Sequence, residues 1–452
     1  MRRKRGLFFR KVRPGVALLA GILVLITLGA ICLLTPLATS ATSDISFLDS
    51  AFTSTSALCV TGLIVKDTAT DFTFFGQLMI LILIQIGGLG IMSIAAMMSL
   101  LAGQGIGVSQ GKQLREMFHG EYLRESRQVI KFIILFTLAF EAMGAFLLYI
   151  GFSSEITDVT QRLWFAVFHS VSAFCNAGFS TFSNSLTGFS GNGLVVNTIT
   201  GLLIIGGLGF AVVANLLAYF RGRAMSNRKV RLSVQTKVVV GVSFALLIIG
   251  GAIIYFSETG NAFAGKSVAE SISLSMFQSA TARTAGFNTI DLNMFSIPSL
   301  FVIIIMMFIG AAPGSTGGGI KITTLAVLWA NARAIARGDK DARLFDREVS
   351  NLVVRQALLV FTVASACAVV GLFLLSITED QSFMMIVFET FSALGTVGLS
   401  LGLTPELSAP GKLVVMVLMF VGRVGPLAVA YGLVKASKSR GIKYPSGKFI
   451  VG

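Results

Sequence analysis

Charge is scarce in this sequence. Only 13% of its 452 residues are Asp, Glu, Lys or Arg, and the mean hydropathy is +0.83. A soluble domain carries about 25% charged residues, so a water-exposed globule is excluded. Histidine occurs twice, at His119 and His169, too few for a metal site. The four cysteines, Cys32, Cys59, Cys175 and Cys367, lie in or beside apolar segments without a CxxC pair. Neither a disulfide framework nor zinc is implied. The sequence has no His/Cys/Asp cluster, catalytic triad or nucleotide-binding loop, which argues against an enzyme and against an organic cofactor. Acids are also few, 21 against 36 Lys and Arg, giving a net charge of +15. Nucleic acid is not the expected partner, because the cations cluster between alternate apolar runs, as orientation signals do.

What is abundant is apolar sequence. A hydrocarbon core ~30 Å thick needs about 20 apolar residues per helix. Eight runs meet or approach this, near 15–36, 74–101, 128–151, 193–220, 233–257, 297–330, 351–377 and 410–436. The basic start leads into a full-length first span rather than a cleavable signal. Cations crowd residues 1–14, the three connections around 112–131, 221–237 and 333–355, and the tail from Lys435 to Lys448. Acids such as Asp67, Asp71, Asp158 and Asp291 mark the opposite side. The expectation is a multi-pass protein of the cytoplasmic membrane with both termini inside. The acidic outer face reads either as ordinary topology bias or as attraction for cations.

One short segment occurs four times: Ser56–Leu63, Ser172–Phe179, Ala280–Phe287 and Ser392–Leu399. Each has glycine in seventh place, and Gly62, Gly178, Gly286 and Gly398 stand 116, 108 and 112 residues apart. A second glycine follows each, at Gly87, Gly206, Gly310 and Gly422. Short helices near 44–57, 161–174 and 267–281 precede the first three loops. A whole unit is therefore repeated. The predicted fold is an all-α polytopic membrane protein of four tandem repeats, each a span, pore helix, filter loop and second span. The repeats surround a central pore with pseudo-fourfold symmetry and eight transmembrane helices. Their bounds are 15–110, 111–227, 228–345 and 346–436, between a basic start (1–14) and a tail (437–452).

Glycine permits φ > 0, which lets successive carbonyls turn toward one axis. A ring of carbonyls replaces a cation's water shell, as in tetrameric K⁺ channels. The candidate filter is Val60, Thr61, Gly62; Asn176, Ala177, Gly178; Thr284, Ala285, Gly286; and Thr396, Val397, Gly398, with K⁺ held by their carbonyls. A shorter ladder than in those channels implies weaker discrimination against Na⁺. The bland reading is close helix contact through small residues. Four such loops in register, each between a short amphipathic segment and a long apolar one, favour the filter.

The third repeat breaks its second span at Ala311, Ala312, Pro313, Gly314, Ser315, Thr316, Gly317, Gly318 and Gly319, ending at Lys321. Proline and serial glycine cannot continue a helix there. The segment lacks the Lys-Ser/Thr of a phosphate loop. A mobile, wet loop lining the cavity beneath the filter is expected; a packing kink is the simpler alternative. In the fourth repeat Arg423 falls inside an apolar span, where an ionisable group faces a cavity or a partner. Arg423 and the 311–319 loop together are the candidate gate, unless Arg423 snorkels to the surface. Arg283 and Glu389 are expected to be buried, paired groups bracing the pore helices.

These residues resemble the Trk/Ktr/HKT superfamily of K⁺ transporters over essentially the whole chain, nearest to Ktr membrane subunits. Ala282–Asn288, the glycine-rich break and Phe388–Leu399 carry the likeness most specifically. The first span starts near residue 15, without the additional N-terminal helices of TrkH-type members. Gly62 stands where Na⁺-selective plant relatives have serine. The resemblance implies K⁺ as the transported ion, with Na⁺ often required. It implies a homodimer with one pore per subunit and a cytosolic nucleotide-binding ring of the KtrA type that controls the loop. It also implies that Ile442–Gly452 packs at the dimer interface. A Na⁺-coupled K⁺ symporter with a midplane site is the alternative.

Overall fold

The computed structural model describes residues 14–90, 126–224 and 231–425. The basic start, the connections at 91–125 and 225–230 and everything from 426 onward, including the tail expected at a dimer interface, lie outside the described residues. The described residues are mainly helical. Helix α1 (Pro14–Leu33) leads to a short α2 (Phe47–Cys59) and α3 (Phe74–Gly88). The pattern recurs as α4 (Ser126–Gly151), α5 (Val159–Phe174) and α6 (Gly193–Gly207), with α7 (Phe210–Ala224) behind it. It recurs again as α8 (Val234–Glu258), α9 (Val268–Thr281) and α10 (Ile297–Phe308), followed by α11 (Ile322–Arg337). A two-stranded hairpin, β1 (Arg343–Leu344) with β2 (Arg347–Glu348), separates α11 from α12 (Asn351–Thr378). Then come α13 (Phe383–Gly395), the single turn α14 (Leu403–Glu406) and α15 (Ala409–Val424).

Among the described residues three helices are long and apolar enough to cross a membrane: 131–154, 234–258 and 351–378. The expected spans are thus not all single helices. The run near 193–220 is two helices, α6 and α7, bent by 98°. Gly209 at φ +85° makes that corner, and the Phe210 amide donates to the Gly314 carbonyl at 3.1 Å across it. The run near 297–330 is likewise divided, by residues 309–321 between α10 and α11. Phe146, Phe244, Phe256 and Phe373 stay exposed on α4, α8 and α12, the apolar surface that lipid covers.

The short helices form because hydroxyl and acid caps start them. Asp158 caps α5, Ser267 caps α9 and Ser382 caps α13. Ser46 and Asp49 form a capping box on α2. All four short helices are buried along their C-terminal halves. Glu258 and Glu379 then clamp the following helices, accepting from the amide and hydroxyl of Ser296 and Ser408 respectively.

Asp49 has a second role. Its Oδ1 meets Lys412 Nζ at 2.7 Å, joining α2 to α15 across almost the full chain. Asp49→Ala removes a cap and strands a mostly buried ammonium, and lowers stability by about 3 kcal/mol. Thermal melts in detergent read this, and adding Lys412→Met should recover part of the loss. An unchanged melting temperature in the single variant would contradict the structural reading of this pair.

Candidate ion pathway

The four short helices end where the repeated loops begin, at Cys59, Phe174, Thr281 and Gly395. Their C-terminal dipole ends favour a cation beyond them. Each loop then turns with the same backbone signature. Val60, Asn176, Thr284 and Thr396 have φ of 55°, 58°, 78° and 50°, and the glycines two places later have φ of 94°, 70°, 80° and 93°. Four non-glycine residues in left-handed conformation are a strained set, held by the surroundings. Hydroxyls do much of the holding. Ser56 and Ser392 accept from the amides of Gly62 and Gly398 at 3.1 Å each. Ser172 and Thr281 donate to the carbonyls of Phe179 and Phe287.

The four glycines converge in chain order. A Cβ on Gly62 would strike the Ala177 carbonyl and sit 3.2 Å from Gly178 Cα. On Gly178 it would lie 2.7 Å from the Ala285 oxygen and 2.9 Å from Gly286 Cα. On Gly286 it would lie 2.5 Å from the Val397 oxygen, and on Gly398 it would strike the Thr61 carbonyl. The sequence of contacts closes on itself, and each involves the carbonyl just before the next glycine. The same four glycines line one cavity of about 580 Å³. Its walls are loops, with Ser180, Asn184, Asn288 and Ser400 among their polar residues, and Asp291 is the one charged lining residue among those described.

The later glycines have a different reason. A Cβ at Gly87, Gly206 or Gly422 would strike the carbonyl of Leu58, Phe174 or Leu394 respectively, at the end of the adjoining short helix. Glycine there lets α3, α6 and α15 press against the loops they support. Gly310 instead meets the Gly318 carbonyl, within the broken segment.

On the side away from the cavity, the broken segment packs directly under the ring. A Cβ on Gly317 would strike Thr284 Oγ1, and one on Gly318 would strike Thr396 Oγ1. Asn176 Nδ2 donates to Thr316 Oγ1 at 2.8 Å, and that hydroxyl donates to the Phe174 carbonyl at 3.2 Å. The Ala312 and Thr316 amides donate to the carbonyls of Gly207 and Gly206 at 3.1 and 3.3 Å. Lys321 Nζ folds back onto the carbonyls of Gly317 and Gly318, at 2.8 and 3.2 Å. Arg423 donates from Nη1 to the Thr316 carbonyl and from Nη2 to the Gly87 carbonyl. The segment is thus pinned by named hydrogen bonds rather than loosely placed, because Arg423, Lys321 and the α6–α7 corner satisfy its backbone. Gly317 and Gly318 thus lie against Thr284 and Thr396, Thr316 against Asn176 and Arg423, and Pro313 and Gly314 at the α6–α7 corner.

Two expectations are corrected and one gains detail. Arg283 is not paired: its Nε has no partner among the described residues, since no acid shares its pocket of Ser243, Ala280 and Ala311. The straight span near 193–220 is replaced by the α6–α7 corner. Its signal was readable in Gly206-Gly207-Leu208-Gly209, which repeats Gly87-Gly88-Leu89-Gly90. Glu389 is buried and hydrogen-bonded, with hydroxyl partners: Ser400 donates to Oε2 at 2.7 Å and Thr404 to Oε1. His169, not anticipated, bridges the Phe165 carbonyl and Ser180 Oγ at 2.8 and 2.9 Å and steadies the cavity wall.

Comparison with known proteins finds relatives along almost the whole chain. The chain is 36% identical to the Ktr system potassium uptake protein B of Bacillus subtilis, over 97% of each chain. It is 38% identical to the protein of the same description from Vibrio alginolyticus, over 91% of this chain and 89% of the other. It is 36% identical to the potassium/sodium uptake protein NtpJ of Enterococcus hirae, over 98% of each. The crystal structure of the potassium transporter TrkH from Vibrio parahaemolyticus superposes with a TM-score of 0.73 at 19% identity, covering 94% of this chain and 86% of that one. The profile of the TrkH family, described as cation transport protein, matches residues 21–442, and the chain belongs to that family.

Proposed function

We propose that this chain is the K⁺-translocating subunit of a Ktr-type uptake system in the cytoplasmic membrane. The observation that carries the reading is the closed ring of four glycine turns between a polar cavity and the 309–321 segment. Four tandem repeats with pseudo-fourfold symmetry account for the ring, although among the described residues two of the expected spans are bent or broken. Carbonyls of Val60–Gly62, Asn176–Gly178, Thr284–Gly286 and Thr396–Gly398 are the ion's ligands, and Asp291 raises cation concentration at the mouth. The 311–319 segment blocks the path beneath, held by Arg423 and Lys321. Opening requires Thr316 to leave Asn176.

The relatives are described as belonging to a Ktr system, which supports a partner component; the family resemblance implies that this is a cytosolic KtrA-type ring that moves the segment, and that the assembly is a homodimer. The relative named for potassium and sodium uptake supports Na⁺ as a second ion. Growth of a K⁺-uptake-deficient bacterium at low K⁺ tests the proposal. The chain restores growth, more strongly with a KtrA-type partner present. Failure of a well-expressed chain to restore growth with that partner would refute it. A reversal potential that follows K⁺ alone supports a pore; a fixed shift with Na⁺ would favour a coupled symporter.

A further inference from the structure

One buried acid takes no part in the pathway. Glu141, in the middle of α4, is 6% exposed. Its Oε1 has no partner among the described residues, and its Oε2 receives only a long 3.4 Å contact from Gln85 Nε2 of α3. The two ion pairs among the described residues are Lys266–Glu270 and Lys412–Asp49, so no cationic side chain answers this carboxylate. One turn earlier on the same face stands Thr137, 1% exposed, whose Oγ1 also lacks a partner. Other buried threonine hydroxyls, such as those of Thr53 and Thr68, are idle as well, but neither stands beside an unpartnered carboxylate oxygen on its own helix face. Thr55, Thr200 and Thr390 each donate to the carbonyl four residues before, at 2.7, 2.7 and 2.8 Å. A buried carboxylate oxygen and a buried hydroxyl, both idle and adjacent, call for a ligand that accepts oxygen lone pairs.

We propose that Glu141, Thr137 and the Gln85 amide oxygen form a Na⁺ site between α3 and α4. A monovalent ion leaves the site neutral, whereas a divalent ion would leave a net charge inside the membrane. Oxygen-only ligands exclude soft transition metals. Gln85 turns its nitrogen to Glu141 and its oxygen to the Cys175 thiol at 3.6 Å. Na⁺ reverses the amide, breaking the contact to Cys175. Gln85 lies two residues before Gly87, whose carbonyl anchors Arg423. The site is therefore placed to couple Na⁺ occupancy to the Arg423 anchor.

The test is thermal unfolding of the purified full-length chain in detergent, with NaCl or KCl replacing choline chloride at constant ionic strength. Na⁺ raises the melting temperature of the wild-type chain by about 5 °C. Glu141→Gln and Thr137→Val lose that rise but keep the rise caused by K⁺, which shows that they are folded. A wild-type chain indifferent to Na⁺ would overturn the proposal. So would a Na⁺ response that survives in both variants, the result expected if Glu141 merely carries a proton.

Discussion

Gly286→Ala lowers K⁺ uptake at least about 100-fold, and what flux remains loses its preference for K⁺ over Na⁺. Two effects combine. Gly286 sits at φ +80°, where an L-residue costs about 1–2 kcal/mol. The new Cβ would also lie 2.5 Å from the Val397 oxygen and 3.2 Å from Gly178 Cα. Both obstacles are main chain, so no rotamer change relieves them. The ring must widen, and ligand oxygens that move by a fraction of an ångström no longer replace a water shell. Gly265→Ala is the control, since Gly265 has the same φ of +80° with nothing within 4 Å of its Cβ. It should transport normally. Tracer uptake of K⁺ and Rb⁺ against Na⁺, normalised to membrane-inserted protein, decides the matter. Full selectivity in Gly286→Ala would remove the glycine turns from the ion's path.

Arg423→Ala raises basal K⁺ flux by about 10- to 100-fold without a regulatory partner. The guanidinium holds the Thr316 and Gly87 carbonyls together, and nothing else on α15 does so. Hydrogen bonds to a charged group contribute about 1.5–3 kcal/mol net, and each 1.4 kcal/mol shifts a population tenfold. Removing the positive charge beneath the ring also lowers the barrier to a cation. Both effects act in the same direction. Arg423→Lys keeps the charge but not the two-armed grip, and should show an intermediate rise. Flux assays in proteoliposomes separate these outcomes. Unchanged or lower flux from folded Arg423→Ala protein would mean that the arginine props the path open instead.

The ring was legible in the sequence because a repeated backbone requirement leaves a repeated glycine. Gly62, Gly178, Gly286 and Gly398 keep their spacing since no other residue fits their turns. The companion glycines were legible for a related reason, as close approach to a carbonyl admits no side chain. The 309–321 break was visible through Pro313 and the glycines after it. The partners of that segment were not. Arg423 bonds to main-chain carbonyls, and carbonyls carry no residue identity for a sequence to display. The same holds for Lys321 on Gly317 and Gly318. The corner between α6 and α7 was missed for another reason. Leu208 and Phe210 keep the run apolar, so hydropathy continues through a bend that only the Gly206-Gly207-Leu208-Gly209 motif betrays. Arg283 shows the opposite failure: burial was foreseeable, while the absence of an acid nearby depends on distant helices.

The ring closes between residues at opposite ends of the chain. Thr61 abuts Gly398, and Asp49 meets Lys412. During synthesis at roughly 5–20 residues per second, the first turn therefore waits about 20–70 s for its neighbour. Throughout that interval the ring has three of its four glycine turns and one flank open. A ribosome that stalls before residue 398 leaves a product whose ring has an unclosed gap and whose Asp49 carboxylate still lacks its lysine.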